Sequence, residues 1–137
     1  MFKNPSTETI REILRTAKTI AVVGFSPKPD RPSYNIARAL QDFGYRIIPV
    51  RPQLAEGLGE KAYASVADLP EPPDVVDVFR APDAVDAIVD ACIAIGAKRL
   101  WLQEGVVNEA AAARAQAAGI LVVMDRCIWR DYKALLS

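Results

Sequence analysis

Four arginines stand just beyond short apolar runs of this chain. Arg31 lies in the stretch after Thr19–Gly24, Arg51 directly follows Arg46–Val50, Arg80 directly follows Asp74–Phe79, and Arg126 comes just after Ile120–Met124. A guanidinium carries a permanent charge and a rigid fork of donors, which suits phosphate. The ten residues from Gly24 to Ser33 (GFSPKPDRPS) add the hydroxyls of Ser26 and Ser33 and the charge of Lys28. Gly24 permits close approach of backbone to ligand. Spread over the rim of one crevice, these groups would bind a multiply phosphorylated ligand.

What is missing narrows the chemistry further. The chain has no histidine, which removes the commonest general base, the commonest transition-metal ligand and any phosphohistidine. Hydrolases built on Ser-His or Cys-His pairs are excluded. Two cysteines, Cys92 and Cys127, specify no disulfide framework, and no metal site is expected from them. Seventeen basic residues balance 17 acidic ones, which argues against nucleic acid as a partner. No run approaches the ~20 apolar residues of a membrane span. The first residues lack the basic start and apolar stretch of a signal peptide, so a cytoplasmic protein is expected.

The elements that must hold these groups read as follows. A helix over 6–17 carries Ile10, Ile13, Leu14 and Ala17 at helical spacing. Five short runs rich in β-branched residues (19–24, 46–50, 74–79, 99–103 and 120–124) read as buried parallel strands. Helices lie between them: one from Ser33 to Phe43, one opened by Pro82 and closed by Gly96, and one capped by Asn108 and closed by Gly119. A last helix follows Ile128, and residues 51–74 form a longer connection with a helical turn near 65–69. The pattern predicts one α/β domain over 1–137, a Rossmann-like, doubly wound five-stranded sheet in a three-layer sandwich. The expected strand order is 3-2-1-4-5. Ligands of such sheets sit beyond the carboxyl ends of the strands, which makes residues just after each strand the candidates.

The stretch 24–33 leads into a helix N-terminus, where free N–H groups attract anions. It is not the G-x-G-x-x-G fingerprint, because Ser26 and Pro29 stand where glycines would be needed, and no Walker lysine follows. Strand 2 ends in Arg51 where an NAD site would place Asp or Glu. An arginine there fits a ribose phosphate, that of NADP or the 3′-phosphate of coenzyme A. Other residues read as structural: Cys92 and Trp101 as core, and Asp77 as a buried, hydrogen-bonded carboxylate. Cys127 lies on the rim, where it could meet a ligand thiol.

The segments VVGFSPKPDRPSYNIARAL (22–40), GYRIIPVRP (44–52), DVVDVFRAP (74–82), LWLQEGVVNEAAAARA (100–115) and VVMDRC (122–127) resemble the small stand-alone CoA-binding domain proteins. These are related to the N-terminal domain of the succinyl-CoA synthetase alpha subunit. The resemblance implies coenzyme A or an acyl-CoA along the strand ends. Gly24, Phe25, Ser26, Arg31, Ser33 and Tyr34 would line the phosphate loop. Arg51 and Pro52 would meet the adenosine and its 3′-phosphate, Arg80 and Pro82 would flank the adenine side, and Gln103 and Gly105 the pantetheine path. The ligase relatives use a phosphohistidine on a further domain, which this chain lacks. The expectation is therefore a binding module without catalysis of its own. An NADP-binding oxidoreductase domain and a ligase subunit needing a catalytic partner chain are the alternatives.

Overall fold

The computed structural model describes residues 2–136. Helix α1 (Thr7–Thr16) opens on Ser6, whose hydroxyl accepts from Thr9 N–H at 3.2 Å, and it buries Ile10, Ile13 and Leu14. Strand β1 (Thr19–Val23) is followed by α2 (Pro32–Asp42) and β2 (Arg46–Val50). A hairpin of two-residue strands, β3 (Glu56–Gly57) and β4 (Glu60–Lys61), comes next. After a 3-10 turn at Val66–Asp68 come β5 (Val75–Val78), α3 (Val85–Ile95), β6 (Arg99–Leu102), α4 (Glu109–Ala117), β7 (Leu121–Met124) and α5 (Ile128–Leu136).

The five longer strands form one parallel sheet in the order β2-β1-β5-β6-β7. Outside β2 the segment at Tyr63 adds one parallel bridge, to Val50. With that segment counted third the order runs 3-2-1-4-5-6, the expected 3-2-1-4-5 pattern carried one strand further to β7. The third apolar run, now β5, pairs instead with β1 on its other side. The reason is compositional. Residues 51–65 are too polar and too rich in glycine to form more than a bridge at the edge, whereas β5 is buried along its whole length and belongs in the middle.

Side chains alternate across the sheet and build two cores. Ile20, Val22, Ile47, Val75, Trp101 and Val123 pack under α1, α2 and α5. Ala21, Val23, Val76, Val78, Leu100, Leu102, Val122 and Met124 pack under α3 and α4. The alanines of α4 (Ala111, Ala112, Ala115) are fully buried, so this helix lies close to the sheet. The β7 edge is covered by the N-terminal segment: Asn4 donates to Met124 C=O at 3.0 Å and accepts from Met124 N–H at 2.8 Å. No described helix is long and apolar enough to cross a membrane.

Asp77 corrects one expectation. It is fully buried between Val22 and Trp101 in the sheet register, yet neither carboxyl oxygen has a hydrogen-bond partner among the described residues. Burial alone pushes its carboxyl well above the ordinary range. Cys92 is core as expected, its thiol pushed up to about 12 by burial.

Candidate functional site

The carboxyl ends of β1, β5 and β6 meet at one crest. Gly24 N–H donates to Val50 C=O, Phe79 N–H to Val23 C=O and Gln103 N–H to Val78 C=O, so the ladder continues one residue past each strand. Gly24 then turns the chain with φ +85°. A β-carbon here would lie 2.5 Å from Phe79 O and 2.9 Å from Arg80 Cδ. Only glycine lets the stem of Arg80 cross this point.

Above the crest opens a cavity of about 620 Å3. Gly24, Ser26, Lys28, Arg31, Ser33, Arg51, Arg80 and Gln103 line it, together with Pro27, Pro32, Phe79, Glu104 and Val106. Its floor is the loop from Gly24 into α2. Ser33 Oγ accepts from Ser26 N–H at 2.9 Å, and Ser26 Oγ accepts from Lys28 N–H at 3.2 Å, which folds the loop back on the helix start. Helix α2 begins at Pro32, one residue before the expected start. Arg31 in the cap position makes no side-chain capping bond. By contrast α1 and α4 are capped by Ser6 and Asn108. In the first turn of α2, Pro32 has no N–H, and the Tyr34 and Asn35 N–H groups donate to Arg31 C=O at 3.1 and 3.0 Å, which leaves the Ser33 N–H without a side-chain cap, beside Lys28 and Arg31.

Other candidates are placed differently. Phe25 is wholly buried; its ring lies under the β3–β4 hairpin, where a β-carbon on Gly57 would come within 2.6 Å of it, and against Tyr34 at 6.0 Å between centroids. Both aromatics anchor the loop from behind and neither lines the cavity. Arg51 lines the cavity but also donates from Nη1 to Phe25 C=O at 3.3 Å. Pro52 lines a smaller neighbouring cleft of about 250 Å3, with Val23, Val50, Val66 and Ile88, and Arg80 borders both. Pro82 is exposed and starts a 3-10 turn outside both clefts. Gly105 is turned away, its N–H held by Asp125 Oδ1 at 2.8 Å.

Arg126, expected on the rim, is bound bidentately by Asp131 at 2.7 and 2.8 Å and does not line the cavity. Cys127 is 7% exposed and lies outside the lining as well, which removes the basis for expecting it at a ligand thiol. Glu104 stands on the strand-end rim, though the sequence assigned it no contact with a phosphorylated ligand. It lines the cavity and pairs with Arg130, whose Nη1 reaches both carboxylate oxygens at 2.6 and 2.7 Å. The E-G pair after strand 4 was its only signal.

A family model described as "CoA binding domain" matches residues 18–133. The chain belongs to the CoA-binding domain family. A relative of similar size, the Bacillus subtilis protein YneT, is 43% identical over 127 residues, covering 93% of this chain and 94% of that one. An acetate–CoA ligase (ADP-forming) of Methanocaldococcus jannaschii is 30% identical over 81 residues, 59% of this chain but only 12% of the ligase. Among solved structures, a hypothetical protein of Pyrococcus horikoshii superposes with a TM-score of 0.93 at 38% identity, over 100% of this chain and 99% of that one. An acetyl-coenzyme A synthetase from Ca. Korarchaeum cryptofilum in its apo form gives 0.70 at 27% identity, over 79% of this chain and 26% of that one. This CoA-binding domain is thus similar in fold to part of much larger ligases.

Proposed function

We propose that the crevice binds coenzyme A or an acyl-CoA and that the chain performs no chemistry on it. The observation that carries this reading is the cavity at the strand ends, whose lining holds Lys28, Arg31, Arg51 and Arg80 beside an uncapped helix start. Ser26, Lys28, Arg31, Ser33 and the first turn of α2 would meet the pyrophosphate. Arg51 and Arg80 would meet the 3′-phosphate. The apolar cleft lined by Pro52, Val66 and Ile88 suits the adenine, and Gln103 and Val106 the uncharged pantetheine arm. Gln103 is well placed for this, since its Oε1 is fixed by Ile128 N–H at 3.1 Å. Absence of histidine supports binding without catalysis, because no phosphohistidine can form.

One observation favours a second reading, a module that serves a separate catalytic chain: the stretch shared with the acetate–CoA ligase is a small part of that enzyme. Mass spectrometry of the purified, denatured protein and a thermal-shift series with CoA, acetyl-CoA, dephospho-CoA, NADP and NAD test the first reading. CoA at 100 times its dissociation constant should add about 2.7 kcal/mol of stability. A shift with NADP and none with CoA would replace this reading by the oxidoreductase one. Turnover of acetyl-CoA by the pure protein, lost on mutation of a cavity residue, would overturn the absence of catalysis. Coexpression and pulldown address the partner chain.

A further inference from the structure

The charges around the cavity are not evenly spread. Lys28, Arg31, Arg51 and Arg80 follow β1, β2 and β5, whereas the β6 end supplies Gln103, Glu104 and Val106. Glu104 is the acid among the described lining residues. Its carboxylate is fixed by Arg130 through both oxygens, at 2.6 and 2.7 Å. The turn that carries it is fixed too: Val106 N–H donates to Gln103 C=O at 2.9 Å and Gly105 N–H to Asp125 Oδ1 at 2.8 Å. Asp125 holds that bond with φ +60°, a left-handed conformation that costs a non-glycine residue energy. Glu104 is therefore a positioned carboxylate at the β6 end of the cavity, with Arg130 Nη1 shared between its two oxygens.

We propose that Glu104 sets the acyl preference of this cleft, favouring uncharged acyl groups over those that end in a free carboxylate. The inference rests on the CoA reading above. If the phosphates occupy the cationic side, the uncharged arm runs toward β6 and its acyl group arrives beside Glu104. An acetyl or propionyl group meets Val106 and a carboxylate it does not contact electrostatically. A succinyl group brings a second carboxylate to the first, and the Arg130 Nη1 beside it is already shared between both Glu104 oxygens. Glu104 is half-exposed, with 52% of its side-chain surface accessible, so the repulsion is screened and modest.

The measurement is the ratio of the dissociation constants of succinyl-CoA and acetyl-CoA, by calorimetry on the full chain at one low salt concentration. The wild type should favour acetyl-CoA by about 1.4-fold to 5-fold, the size of an exposed charge interaction. Glu104→Gln should bring the ratio near one. Arg130→Gln, which uncovers the Glu104 carboxylate, should widen it, and raising the salt should shrink the wild-type value. Each ratio is internal to one protein, so a general loss of affinity does not affect it, and Arg130→Gln serves if Glu104→Gln does not fold. A wild-type ratio of one, or one that Glu104→Gln leaves unchanged, overturns the proposal while CoA binding stands. A preference for succinyl-CoA lost in Arg130→Gln would mean that Arg130 receives the acyl carboxylate instead. Failure of CoA and both acyl forms to bind would overturn the underlying reading itself.

Discussion

Asp77 offers the sharpest test of the physical argument, because its surroundings contain nothing to compensate a charge. It is 0% exposed, it pairs in register with Val22 and Trp101, and both oxygens lack a partner among the described residues. The helices over this face present Ile10, Ile13 and Leu14 from α1, Ala37 and Leu40 from α2, and Ile128 from α5. Two titratable groups on the same side are occupied: Asp131 is bound to Arg126, and the Tyr45 hydroxyl donates to Leu14 C=O. Burial alone raises the Asp77 carboxyl well above its ordinary value, so the native state favours the protonated form.

The sign of the pH dependence follows. An unfolded aspartate titrates near 3.9. With the folded value raised, the contribution to stability is complete below that pH. It is then lost at about 1.4 kcal/mol per pH unit as pH rises toward the folded value, and is constant above it. Asp77→Asn keeps the shape and cannot titrate. Urea denaturation of both proteins from pH 4 to pH 9 should therefore show the variant gaining on the wild type as pH rises, with other groups cancelling in the difference. Asp77→Val, which removes the unpartnered polar group from a strand of valines, should match or exceed the wild type at neutral pH, by about 1–3 kcal/mol. A difference between Asn variant and wild type that stays flat with pH would refute the reasoning. So would a large loss in the valine variant, which would reveal a hydrogen bond the carboxyl does make.

Gly24→Ala must place a β-carbon 2.5 Å from Phe79 O at φ +85°, so it should cost about 1–3 kcal/mol in chemical denaturation and displace Arg80, weakening CoA in calorimetry. Arg51→Ala should weaken CoA by roughly 10-fold to 100-fold and dephospho-CoA hardly at all, from a charged hydrogen bond of about 1.5–3 kcal/mol. Equal losses would show that the bond to Phe25 C=O is what matters. Asn4→Ala removes both bonds to Met124 and should cost about 1–2 kcal/mol in urea denaturation, with an exposed β7 edge that raises light scattering on storage. Cys92, buried with its thiol pushed up to about 12, should resist maleimide at pH 8 in the native protein and react fully in guanidinium, as read by mass spectrometry.

Where the sequence was readable, one physical rule did the reading. Strands buried on both faces are predominantly apolar runs, and each of the five was visible as such, β5 in spite of Asp77 within it. The β3–β4 hairpin was invisible because two-residue strands of Glu, Gly, Glu and Lys have no period to detect. It matters all the same, since it covers Phe25. The site was legible as a set of strand ends but not as a set of side-chain directions. Gly24 reverses the chain, so Phe25 turns into the core, while Ser26 faces the cavity. Arg126 looked like Arg80 in sequence. Its difference lies in Asp131, five residues on, which only the turn into α5 brings within reach. Gly105 and Pro82 stand beside the rim yet are aimed elsewhere, a distinction set by local turns.

The floor of the site is built so that little has to be ordered when a ligand arrives. Pro27, Pro29 and Pro32 restrict the backbone of the loop, and the Ser26–Ser33 bond closes it. Phe25 plugs it into the core, and Arg51 ties the Phe25 carbonyl to the end of β2. Restriction of this kind lowers the entropy lost on binding. It also gives Arg51 a consequence that Lys28 does not share. Lys28 enters the site through charge, whereas Arg51 holds the loop through one Nη while its remaining donors can meet a phosphate. A lysine in place of Arg51 keeps the charge and loses the fork, so it would separate the two duties: phosphate attraction retained, loop tether gone.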